Sequence, residues 1–271
     1  MMNNKRIFIL FIFGIVICLA LGGLLFYLNN RWKAMWALSP EKPVYKIELC
    51  KDDTLRVVMI GDSWVGMRTD TLNNLFQVRL SNILGKPVIL RTKGKGGEKS
   101  RGVYQLMFEE NGYGTKPLLS SGADFCVVFA GINDAAANLG IKQFIHHMKL
   151  IIDFLLANNI RPVIIEIPDV NIWSVYGNKP IKDLVVDCLK SVMTGCRVYC
   201  YSDYREALYE MLVKEYDSDS ISYVSMNDWN GDVFLNPSLF MSDSIHLNRY
   251  GYERIDKSIA ETIFRDLQHT K

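Results

Sequence analysis

The chain holds 271 residues, of which 49% are hydrophobic and 22% charged, with a formal net charge of +2. That is the composition of an ordinary globular chain, and a balance so close to neutral gives no electrostatic argument for a nucleic-acid partner. No internal repeat or low-complexity tract interrupts it.

A short tail, residues 1–6, leads into Ile7 to Leu28, a stretch without a charged residue, preceded by Lys5 and Arg6 and followed by Arg31 and Lys33. As a helix it rises about 33 Å, enough for a hydrocarbon core of about 30 Å, so the expectation is a transmembrane anchor over residues 7–28. A cleaved signal peptide fits less well, because the run is long and Leu21-Gly22-Gly23 is followed by further apolar residues. Basic residues flank both ends and do not choose an orientation. A single anchor ahead of a whole domain is expected to leave that domain outside the cytoplasm. Residues 29–53, with Pro40 and Pro43, read as a linker.

From residue 54 to the end, short apolar runs alternate with helical stretches. Strands are expected at Arg56–Ile60, Val88–Leu90, Ala123–Phe129, Pro162–Ile167 and Arg197–Tyr201. Helices are expected at 70–84, Val103–Phe108, Ile141–Leu156, 181–193, Tyr204–Val213 and Tyr250–Leu267, where Ile255, Ile259, Ile263 and Leu267 share a face. Such alternation implies a parallel sheet covered on both faces. Two longer irregular regions, Pro168–Pro180 and Asp217–Ser242, carry Trp173, Tyr176 and Trp229, which either shape a substrate site or pin the loops to the core. Cys18 falls in the apolar span and Cys126 in a buried strand. Cys50, Cys188, Cys196 and Cys200 can pair if the domain is exported, in a connectivity the sequence leaves open, and no Cys/His spacing suggests a metal.

Four stretches carry chemistry. Gly61-Asp62-Ser63 ends the first strand, placing a serine where open α/β sheets bind ligands. A serine hydroxyl needs a base, and histidine suits that task near neutrality. Of four histidines, His146 and His147 sit within an amphipathic helix and His269 in the C-terminal tail. His246 alone has a carboxylate, Asp243, three residues earlier, at a spacing that lets it hold the far ring nitrogen. Donors for a developing oxyanion are available at Gly97, in the run Lys93-Gly-Lys-Gly-Gly-Glu-Lys-Ser100, and at Asn133, in Ala130-Gly-Ile-Asn-Asp134.

With these four blocks in this order, the chain resembles the SGNH/GDSL hydrolase superfamily over roughly residues 55 to 267. The resemblance implies that Ser63 is the nucleophile, His246 the base and Asp243 its orienting carboxylate. It implies an oxyanion hole from the Ser63 N–H, a second-block glycine N–H and the Asn133 amide. Gly97 is the alignment adopted, with Gly96 as the alternative. Asp62 and Asp134 become structural residues near the site, and Trp64 stands where the family name has leucine. The implied fold is a flavodoxin-like three-layer α/β/α sandwich with a parallel sheet of about five strands. The implied reaction is acyl transfer through an acyl-serine, which needs no metal or organic cofactor.

Five basic residues, Arg91, Lys93, Lys95, Lys99 and Arg101, face the single Glu98 in the second block. They either raise the local concentration of an anionic substrate or form a solvated loop. The expectation is a membrane-anchored serine esterase that removes O-acyl, chiefly acetyl, groups from an envelope or capsular polysaccharide. An O-acetyltransferase on such a glycan and a non-catalytic assembly module with the same fold are the alternatives.

Overall fold

The computed structural model describes residues 4–48, 50, 52–173 and 179–269. The chain divides into two compact units, Met1–Ser39 and Pro40–Lys271. The first contains the helix α1 (Asn4–Trp36), with large apolar side chains such as Phe11, Leu19 and Phe26 exposed. Among the described residues no helix is long and apolar enough to cross a membrane, so the anchor expected at residues 7–28 has no structural support.

The expected linker also divides. Its first part, to Trp36, continues the helix, whereas residues 42–47 are part of the second unit. There the Lys42 N–H donates to Tyr104 Oη, Tyr45 Oη donates to the Met107 carbonyl, and the Ile47 N–H donates to Asn158 Oδ1.

The second unit is built on a five-stranded sheet, β1 (Leu55–Gly61), β2 (Val88–Gly94), β3 (Phe125–Phe129), β4 (Arg161–Ile165) and β5 (Ser222–Val224), in the order β2-β1-β3-β4-β5. Every pairing is parallel. Val57 to Ile60 and Cys126 to Val128 are fully buried, as a central strand covered on both faces requires. The helices are α2 (Ser63–Gly66), α3 (Asp70–Leu84), α4 (Ser100–Leu106), α5 (Lys116–Leu119), α6 (Ile132–Ala136), α7 (Ile141–Ala157), α8 (Ile181–Thr194), α9 (Tyr201–Glu215), α10 (Met226–Trp229) and α11 (Arg249–His269). Helices α3 and α11 pack together on one face, with α4, α7 and α9 on the other. The start and end of α3 follow from its sequence: Thr69 Oγ1 accepts the Leu72 N–H, and Gly85 closes the helix at φ +63°. Ile255, Ile259 and Ile263 of α11 are buried on one face, as their spacing predicts.

The strand order reverses direction between β1 and β3, and the crevice outside the carboxyl ends of those strands is where such sheets bind ligands. One strand differs from expectation. Residues 197–200 form a turn in which Tyr199 takes φ +52°, and the fifth strand is instead Ser222–Val224. Trp229 is buried against Trp64, so it pins its loop to the core, and Tyr176 lies outside the described residues. All six cysteines are free thiols.

Candidate active site

The site begins where β1 stops. A side chain at Gly61 would stand 2.3 Å from the Phe129 carbonyl oxygen, so only glycine lets β1 approach β3 this closely and turn out of the sheet. Asp62 then caps the short helix α2, its Oδ1 accepting the Trp64 N–H at 2.9 Å. Ser63 is the first residue of that helix, on the crevice edge of the sheet.

Across the crevice, Asp243-Ser-Ile-His246 is a tight turn ahead of α11. Asp243 Oδ1 accepts the N–H groups of Ile245 and His246, both at 2.9 Å. Its Oδ2 lies 2.6 Å from His246 Nδ1. His246 Nε2 lies 2.9 Å from Ser63 Oγ, closing an unbroken line from carboxylate to hydroxyl. Partial burial alone would raise the Asp243 carboxyl, but the His246 ring and the two backbone N–H groups outweigh it and hold the group below its ordinary range. Asp243 therefore stays ionised, fixing the ring tautomer that presents a bare Nε2 to the serine.

The expected oxyanion donors fall on the same edge. Gly97 sits in the loop between β2 and α4 with φ +71° and open space around it, so the backbone conformation and not crowding calls for glycine. Asn133 is the second residue of α6, directly after β3. Its amide nitrogen donates to the Glu98 carbonyl at 2.9 Å and to Asp62 Oδ2 at 3.2 Å. Both amide hydrogens are thus engaged.

Asp62 and Asp134 are buried carboxylates that tie the loops together. Asp134 accepts the Ser100 N–H at 2.9 Å and Ser100 Oγ at 2.6 Å, fastening the loop after β3 to the start of α4. Burial pushes the Asp62 carboxyl up to about 7, with the neighbouring Asp134 adding to the rise. Burial raises Asp134 too.

Several positioning contacts escaped the sequence. The Trp64 indole N–H donates to the Ile245 carbonyl at 3.2 Å, joining the serine turn to the histidine turn, and Tyr252 Oη donates to the Trp64 carbonyl at 2.9 Å. The Asn171 N–H, on the loop after β4, donates at 2.9 Å to the carbonyl of Ser244, which takes φ +58°. The Met241 N–H donates to the His246 carbonyl at 2.7 Å. The only sequence signal for any of these is Trp64, a bulky residue beside the serine.

A parallel α/β sheet with a serine, histidine and aspartate hydrogen-bonded in line at its carboxyl edge is the construction of a serine hydrolase. The chain belongs to the GDSL-like lipase/acylhydrolase family, whose model matches residues 59–254, and is an SGNH-type serine hydrolase. Solved structures show the same fold. An acetyl xylan esterase, AlAXEase, is 16% identical with a TM-score of 0.55, the match covering 77% of this chain and all of that one. The psychrotrophic esterase EstA from a Pseudoalteromonas species, in a structure inhibited by monoethylphosphonate, is 15% identical with a TM-score of 0.54 over 80% of this chain and 100% of its own. The lipase Lip_vut3 from a goat rumen metagenome is 11% identical, with a TM-score of 0.54 over 78% and 98%. Comparison with curated proteins found no match.

Proposed function

We propose that the protein is a serine esterase that removes small O-acyl groups, chiefly acetyl, from an envelope or capsular polysaccharide, with Ser63, His246 and Asp243 as its catalytic residues. The observation that carries this reading is the hydrogen-bonded line from Asp243 through His246 to Ser63 Oγ. His246 Nε2 takes the hydroxyl proton as Ser63 Oγ adds to the ester carbonyl. The oxyanion that forms is met by the Ser63 N–H, the Gly97 N–H and the Asn133 amide. Collapse of the tetrahedral centre expels the sugar oxygen, which His246 protonates, and a water activated by the same ring then releases the acid.

An acetyl group is supported by one structural neighbour, which is described as an acetyl xylan esterase. An anionic glycan is supported by the basic second block. The Lys95 N–H donates to the Gly61 carbonyl at 3.0 Å, so this block runs alongside the serine turn, and Glu98 offsets only part of its charge by pairing with Lys95. Membrane attachment through residues 7–28, with the domain outside the cytoplasm, belongs to the same proposal and rests on the uncharged run in the sequence.

The test is turnover of p-nitrophenyl acetate together with mass spectrometry after a serine-directed phosphonate. The wild-type protein is expected to hydrolyse the ester and to carry one adduct on Ser63. Ser63→Ala should lose about 10⁶-fold in kcat and take no label. Near-wild-type turnover by that variant would mean another nucleophile. O-acetyl content of surface glycan, compared between cells with active and Ser63→Ala protein, tests the substrate.

A further inference from the structure

The turn that carries His246 is fixed in shape from within. Asp243 Oδ1 accepts the N–H groups of Ile245 and His246, and the Met241 N–H donates to the His246 carbonyl at 2.7 Å. The Ser244 N–H donates to the Met241 carbonyl at 2.9 Å, and Phe240 bridges Leu247 in antiparallel fashion. Such bonds hold the conformation of the turn but not its place. Its distance from Ser63 depends on bonds that leave the turn. The Asn171 N–H holds the Ser244 carbonyl from the loop after β4, and the Trp64 indole N–H holds the Ile245 carbonyl at 3.2 Å from the serine side.

The indole bond lies beside the reacting pair. Trp64 follows Ser63 in α2 and Ile245 precedes His246, so this bond accompanies the 2.9 Å contact between Ser63 Oγ and His246 Nε2 with one residue's displacement at each end. Trp64 is itself firmly seated. It is 1% exposed, its N–H donates to Asp62 Oδ1, and its carbonyl accepts from Tyr252 Oη. Its ring packs against Phe129 of β3, with centroids 6.4 Å apart, against Trp229 at 5.8 Å and against Phe240 at 6.4 Å. Phe240 stands at the base of the histidine turn, so Trp64 grips that turn at two points. Trp229 supplies the contrast. It is buried in the same aromatic cluster, yet among the described residues its indole N–H has no hydrogen-bond partner. Packing accounts for Trp229, whereas the N–H of Trp64 has a directed task.

We propose that Trp64 is a positioning residue for the acyl transfer, its indole N–H setting the place of the His246 ring relative to the Ser63 hydroxyl. This rests on the proposed reading of Ser63 and His246 as nucleophile and base. Without that N–H the Ile245 carbonyl is left unpaired beside a buried ring, and the peptide it shares with His246 is free to turn. The imidazole then leaves the line along which it takes the serine proton and returns it to the departing oxygen, two transfers that require hydrogen-bond reach. Binding of the ester uses no atom of the indole, so the loss falls on kcat and not on KM.

The experiment replaces Trp64 in the full chain with benzothienylalanine, which keeps the shape of the indole and exchanges its N–H for sulfur. A second protein carries the same replacement at Trp229. At position 64, kcat for p-nitrophenyl acetate is expected to fall by about 10- to 100-fold with KM within twofold of wild type, and labelling of Ser63 by a serine-directed phosphonate should slow in parallel. At position 229, kcat and the labelling rate should stay at wild-type level. Wild-type kcat at position 64, equal losses at both positions, or a rise in KM in place of a fall in kcat would each overturn the proposal. Ser63→Ala is assayed alongside. Its retaining activity would sink the nucleophile assignment itself, whereas an inert Ser63→Ala beside an unimpaired analogue at position 64 sinks only the role of Trp64.

Discussion

Two aspartates flank the reacting groups and their surroundings have made them opposites. Asp62 is buried, faces a second carboxylate and carries a carboxyl pushed up to about 7. Asp243 is half-open to solvent, collects two backbone N–H groups and the His246 ring, and is held below its ordinary range. Identical side chains are thus set apart: in the proposed mechanism Asp243 stays charged to steady an imidazolium, whereas Asp62 organises the serine turn and the Asn133 amide with a carboxyl that gives up its proton far less readily. What decides between them is the count of N–H donors set against burial.

The comparison breaks most visibly at Asp243. Asp243→Asn leaves the turn able to form but removes the charge and favours the wrong ring tautomer, so kcat for p-nitrophenyl acetate should fall by about 10⁴-fold with the protein still folded. A loss of less than tenfold would show that the charge of Asp243 is dispensable. On the other side, Asn133→Ala removes one oxyanion donor and should lower kcat by about 10²- to 10³-fold with little change in KM. Asp62→Asn turns an amide toward the Asn133 amide, donor facing donor, and should cost about 10- to 100-fold in kcat through that misplacement. Combined with Asn133→Ala it should cost little beyond that substitution alone, the non-additivity expected of two residues that act as a unit.

The smallest effect is on stability, and its sign differs between the two. Asp62 keeps in the folded protein a proton that the unfolded chain releases near pH 4, so its contribution is full below that pH and is lost as pH rises through about 7. Asp243, shifted downward, contributes above the unfolded value and is lost as pH falls. Melting temperatures measured from pH 3 to 8 should therefore decline less toward neutrality in Asp62→Asn and less toward acid in Asp243→Asn. The reverse assignment of the two slopes would invert the comparison.

The hydrogen-bonded line of Ser63, His246 and Asp243 was legible because each lies in a short local pattern: a strand ending in Gly-Asp-Ser, and a carboxylate three residues before a histidine. The parallel sheet was legible for the same reason, from alternating apolar runs. What escaped was set by distance or by brevity. The Trp64 bond to the Ile245 carbonyl and the Asn171 bond to the Ser244 carbonyl join residues far apart in the chain, and no periodicity encodes them. The strand Ser222–Val224 is too short to show alternation. The apolar, aromatic stretch Arg197–Tyr201 carries the stronger β signal but is bent by Tyr199, whose N–H is drawn to the Asn138 side chain at 3.0 Å. For α11 the periodicity announced an apolar face that turns inward, whereas for α8 it announced a helix and not that its apolar side would turn outward.

The bond between Ser63 Oγ and His246 Nε2 spans 183 positions of sequence. During synthesis the nucleophile emerges long before its base exists, and α11 must still be made after that to seat Tyr252 against the serine turn. Hydrolysis through the proposed Ser63–His246 pair therefore waits until α11 has been made, and a product truncated before residue 246 carries an inert serine.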